Sequence, residues 1–94
     1  MTEIVYILHE EDIHKYRKMV VLFMESVGIP ATVNNREVTM NDLVSYRFLT
    51  PYQASIACGI RADKLIIDRT VLTYEIWKEA QQNMAPRTKE IVYI

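Results

Sequence analysis

Residues 3–7 read Glu-Ile-Val-Tyr-Ile, and residues 90–94 read Glu-Ile-Val-Tyr-Ile again. The β-branched and aromatic content of Ile4, Val5, Tyr6 and Ile7, extended by Leu8, predicts a short strand. The same letters at the other end predict a second strand. Two copies separated by most of the chain are no solenoid period. Strand-like ends gain from pairing, because an unpaired strand leaves a row of backbone groups open. The repeat therefore predicts that both termini supply strands to one sheet, at equivalent positions. The alternative is a free second copy that adds to the sheet edge of a partner.

Inward from the first copy the period changes. Ile13, Tyr16, Val20, Phe23, Met24 and Val27 recur at helical spacing. Glu10, Glu11 and Asp12 stand where a helix dipole favours negative charge. Gly28 and then Pro30 form a stop signal. The spacing predicts a helix over 10–27. Met19, Val21 and Leu22 widen its apolar face, so it is expected to pack on more than one side.

Residues 31–40 read as a hairpin turning at Asn34-Asn35, since Asn tolerates the positive φ of a tight turn. Asn41 or Asp42 offers a cap for a short helix over 43–48. Thr50-Pro51-Tyr52-Gln53 carries the N-cap, the N1 proline and the N3 glutamine of a capping box, opening a helix that stops at Gly59. Residues 62–69 read as a further short helix, although Ile66-Ile67 and Thr70-Val71 leave a strand open. Leu72, Ile76, Ala80 and Met84 share one face of a helix over 70–84, with Trp77 beside them and Pro86 beyond. The expected fold is α+β. A small mixed sheet from both termini and the 31–40 hairpin is packed by about four helices, including a helix-turn-helix-like pair.

The chain has 94 residues, half of them hydrophobic. That length predicts a single compact domain over 1–94. Eleven Lys and Arg against twelve Asp and Glu leave a net charge of −1. Nucleic-acid contact, which rests on a basic excess, would need a local patch. Cys58 is the single cysteine, so no intrachain disulfide forms, and a reducing, cytoplasmic setting is expected. The longest apolar run, 19–24, is far short of the roughly 20 residues of a membrane span. No basic stretch precedes the first apolar run, so no signal peptide is read.

Little in the sequence carries chemistry. His9 and His14 flank the acidic run, but five residues of separation set their rings about 140° apart on a helix, and no third ligand cluster appears. No metal or cofactor is expected. Cys58 lies among Ile56, Ala57, Gly59 and Ile60 and reads as a buried thiol. No nucleophile elbow or phosphate-cradling glycine loop occurs. The chain is expected to bind rather than to catalyse.

Residues 50–69 resemble the helix-turn-helix motif of DNA-binding regulators over about a fifth of the chain. Ala54 and Ser55 are small where two helices would meet. Gly59 suits the turn, Ile60 follows as an apolar plug, and Leu65 faces the core. The resemblance implies that 62–69 enters the major groove, that Arg61 and Lys64 reach bases or phosphates, and that Arg69 contacts phosphate. Asp63 and Asp68 offset these charges. Two functions stay open. One is a transcription-type regulator that binds DNA through Arg61, Lys64 and Arg69. The other is a protein-binding inhibitor or adaptor that docks on larger machinery, similar in size and composition to bacterial or phage accessory proteins. Six Tyr and one Trp supply contact groups of the kind enriched at interfaces. A homodimer through the strand-like ends is compatible with either.

Overall fold

Thr2–Ile7 forms strand β1, and helix α1 follows it over Glu10–Ser26. These elements belong to a computed structural model that describes residues 2–34, 37–40, 43–56, 61–84 and 88–94. α1 ends as its sequence requires. Gly28 takes φ +73. Its N–H donates to the Glu25 carbonyl at 3.1 Å, and the Ile29 N–H donates to the Met24 carbonyl at 3.0 Å. This pair of bonds is a Schellman stop, and it needs the left-handed residue that glycine supplies without strain.

β2 (Ala31–Asn34) and β3 (Glu37–Met40) form the expected hairpin. Asn34 pairs with Glu37 in the ladder, so it belongs to the strand rather than to the turn. Asn35 lies outside the described residues, as do Asn41, Asp42, Cys58, Gly59 and Pro86. β4 (Val44–Leu49) comes next, then α2 (Pro51–Ile56), β5 (Ala62–Ile67), a 3-10 turn over Arg69–Thr73, α3 (Glu75–Met84) and β6 (Thr88–Tyr93). The capping box opens α2 as read. The Thr50 N–H donates to Gln53 Oε1 at 3.0 Å, and the Gln53 N–H donates to Thr50 Oγ1 at 3.2 Å.

The strands make one six-stranded mixed sheet in the order β2-β3-β4-β1-β5-β6. β4, β1, β5 and β6 run parallel, and the 31–40 hairpin continues the sheet antiparallel. Successive side chains of a strand point to opposite faces. Leu8, Ile13, Met24, Val38 and Phe48 therefore form one core beneath α1. Val5, Ile7, Leu65 and Ile67 form another with Ala54 of α2 and with Trp77, Ala80 and Met84 of α3. No helix among the described residues is long and apolar enough to cross a membrane.

Three expectations are corrected. The segment expected as a helix over 43–48 is instead strand from Val44 onward. Val44, Tyr46 and Phe48 turn to the α1 face, while Ser45 and Arg47 turn to the other, where Glu37 Oε1 accepts the Ser45 hydroxyl at 3.1 Å. That alternation is a strand period. Residues 62–67 are likewise strand. Leu65 and Ile67 are buried on one side while Lys64 and Ile66 turn to the other, as in a parallel strand covered on both faces. The helix-turn-helix-like pair thus lacks its second helix, and three α-helices, rather than about four, pack the sheet among the described residues. Finally, the segment over 70–84 opens as a 3-10 turn, and its α-helix starts only after Tyr74.

The repeated pentapeptide joins one sheet at both ends, but not at equivalent positions. β5 lies between the copies. Val5 is level with Leu65, and Leu65 with Ile91. The copies are therefore one residue out of step, and such a slip turns every side chain over. Val5 and Ile7 share a face with Ile91 and Tyr93.

Candidate functional site

β1 and β5 are adjacent, and the chain leaves their carboxyl ends toward opposite faces of the sheet. β1 feeds α1, while β5 feeds the 3-10 turn and α3. In open parallel sheets such a reversal is where ligands bind. Four side chains meet there. Asp68 precedes the 3-10 turn and accepts from the Thr70 N–H at 2.9 Å and from the Thr70 hydroxyl at 2.7 Å. Thr70 Oγ1 is also bonded to His9 Nε2. The Tyr74 hydroxyl lies 3.1 Å from His9 Nδ1, and the two rings meet edge-on with centroids 5.4 Å apart.

Donor counting fixes the direction of this chain. Thr70 has one hydroxyl proton, and it goes to Asp68. His9 Nε2 then donates to Thr70 Oγ1, and in the neutral imidazole Nδ1 accepts from Tyr74. His9 is free for this role because it is the N-cap residue of α1 with no side-chain capping bond. The Thr70 hydroxyl and then the Thr70 N–H hold the Asp68 carboxyl below its usual range, against a smaller opposing effect of desolvation. The Thr70 hydroxyl is thus oriented toward an ionised carboxylate. What the network achieves is to tie the start of α1 to the turn before α3.

A pH dependence follows. A carboxyl depressed in the folded state stabilises fully above its unfolded value of 3.8, and the contribution is lost as pH falls through the folded value. In wild type minus Asp68→Asn, the stability difference is expected to be constant near neutrality and to shrink below about pH 4. Urea titrations across that range check it; a difference that grows on acidification contradicts the bonding given for Asp68.

The residues expected to touch nucleic acid are not brought together. Arg61 is exposed just before β5, at its amino end, whereas Arg69 is exposed just beyond its carboxyl end. At about 3.3 Å per residue these ends lie on the order of 20 Å apart. Lys64 is half-buried between them, level with Ile4 and Glu90. Sequence reasoning missed the His9–Thr70–Tyr74 set. Its signal was a polar residue within two positions of the end of each of two strands, His9 after β1 and Asp68 after β5, which is visible only once 62–67 is known to be one of them.

A second surface is apolar. Met19, Leu22, Phe23 and Val27, over the last turns of α1 and its end, are each more than half exposed. Lys15, Lys18, Glu25 and Ser26 lie exposed around them. The sequence expected α1 to pack on more than one side. Within the described chain it packs on one, against the sheet. Among the described residues no group of His, Cys, Asp and Glu stands where it could hold a metal ion. No family model matches the chain, and neither a curated protein nor a solved structure matches it.

Proposed function

We propose that the chain is a non-enzymatic regulatory binding module whose partner is a protein. The exposed apolar surface of α1 carries the reading. A monomeric surface rarely leaves several large apolar side chains contiguous, and such a patch with a polar rim is the anatomy of a docking face. Phe23 and Leu22 are the anchors, with Met19 as the adaptable neighbour. DNA binding through Arg61, Lys64 and Arg69 has less support, because these side chains stand on different parts of the molecule and residues 62–67 between Arg61 and Arg69 form a strand.

Site-specific photocross-linking in the native host tests this. A benzophenone amino acid at Leu22 is expected to yield a discrete adduct with another polypeptide, and the same probe at the exposed Lys78 of α3 is not. Phe23→Glu is expected to abolish the adduct while leaving the far-ultraviolet circular dichroism unchanged. Equal labelling from both positions, or none from Leu22, removes the proposal.

A further inference from the structure

We infer that β6 is a self-association edge, and that two copies of the chain join there antiparallel, about a two-fold axis through Ile91, into one continuous sheet. β6 is the last strand of the sheet. Its backbone orientation is fixed by two bonds at its end: the Ile94 N–H donates to the Ile67 carbonyl at 2.8 Å, and the Arg69 N–H donates to the Ile94 carbonyl at 3.0 Å. In a strand, alternate residues direct both backbone groups to opposite edges. Ile94, Val92 and Glu90 therefore bond inward to β5. Lys89, Ile91 and Tyr93 present their N–H and C=O groups outward.

This parity selects the register. A two-fold perpendicular to a sheet brings residues of the same face opposite each other, so the axis must pass through a residue. Centred on Ile91, the outward groups of Ile91 face those of the partner's Ile91, and Lys89 faces the partner's Tyr93. Each such pair exchanges two hydrogen bonds, so every outward group of the strand is used. Centred on Glu90, like charges would stand opposite each other, which is destabilising. Centred on Val92, Lys89 would have no opposite residue. At the Ile91 centre no like charges meet, Glu90 lies beside the partner's Val92, and the Lys89 stem lies on the ring of the partner's Tyr93. Lys89 keeps its ion pair with Asp63, which is 3.1 Å away on the same face.

The side chains agree with an edge that is meant to be covered. Ile91, Tyr93 and Ile94 are 37%, 42% and 43% exposed. Natural edges are usually blunted by charge, proline or shortness. β6 has charge only toward its start, and its Ile-Val-Tyr stretch has none. The opposite edge of the sheet differs. β2 is four residues long and directly follows Pro30, so it offers little to pair with.

Light scattering on the intact chain across a dilution series tests the inference. The wild type is expected at twice its 11.0 kDa mass and to dissociate on dilution. Ile91→Pro removes an outward N–H but no bond to β5, and Ile91→Lys sets like charges face to face on the axis. Both are expected to halve the mass with circular dichroism unchanged. Because proline also constrains the strand, a measurement without a variant is needed. Isotope-filtered spectra of a mixed-label wild-type sample are expected to show a cross-peak between the Glu90 Hα and the partner's Val92 Hα, which face each other closely only in this register. A wild type that stays monomeric overturns the inference, as do folded variants that remain dimeric. Intermolecular cross-peaks confined to Phe23 and Leu22 would also overturn it, since the copies would then meet through α1.

Discussion

Trp77→Ala is expected to lower the unfolding free energy by about 3–5 kcal/mol. Trp77 is 1% exposed and packs among Ala80, Met84, Leu65 and Ile67. Its truncation leaves a cavity between α3 and the sheet that short side chains such as Ala54, Ala62 and Ala80 cannot fill. A domain of this size holds only about 5–15 kcal/mol, so a large share of the stability is lost. The substitution to phenylalanine separates packing from polarity. Trp77 Nε1 is buried without a hydrogen-bond partner among the described residues, and an unsatisfied buried N–H costs about 1–3 kcal/mol. Trp77→Phe removes that cost along with part of the ring. It is expected to be far milder than Trp77→Ala. Urea denaturation followed by circular dichroism at fixed protein concentration checks both, since Trp77 is the only tryptophan and fluorescence is lost with it. Equal losses for the two variants would show that ring volume does not set the stability here.

Phe48→Ala is expected to cost a similar amount on the opposite face of the sheet, about 3–5 kcal/mol. Phe48 is fully buried and lies nearly parallel to Tyr6, with ring centroids 5.1 Å apart, and Tyr6 in turn meets Tyr16 of α1 at 5.8 Å. Removing the ring therefore loses both buried area and a stack, the latter worth about 0.5–1.5 kcal/mol. The aromatic row is what fastens α1 to the sheet. Burial, and the neighbouring Tyr46 and Tyr16, also raise the Tyr6 phenol above its ordinary value, so it stays uncharged in this stack. Because Phe48 and Trp77 sit in cores separated by the sheet, mild substitutions at the two are expected to add within about 0.5 kcal/mol. The pair Phe48→Leu and Trp77→Phe measures this. Strong coupling between them would mean that the two faces do not pack independently.

What could be read from the sequence was local. The stop at Gly28, the capping box at Thr50 and Gln53, the hairpin and the two end strands each carry their own signature within a few residues. β4 and β5 do not. Val44-Ser-Tyr-Arg-Phe48 alternates, but it follows a good helix cap in sequence, and the two local signals conflict. Ala62, Leu65 and Ile66 happen to fall at helical spacing. What makes 62–67 a strand is β1 and β6 on either side of it, and within the segment only the β-branched pair Ile66-Ile67 hints at this long-range pairing. The same blind spot hid the polar network. His9, Asp68, Thr70 and Tyr74 converge only because β1 and β5 are neighbours. Arg61 and Arg69 looked like one basic face on a helix, and an extended backbone moves them to opposite ends.

The unequal ends of the sheet bear on how far association can go. A molecule with two receptive edges grows head to tail without limit, which is the route to fibres. Here one edge is short and preceded by proline, while the other is long and receptive. Two copies that met at β6 would leave only their β2 edges outward, so the pair would offer no long sheet edge to a third. If the chain pairs through β6, the placement of Pro30 acts far from that strand, as a feature that keeps assembly finite.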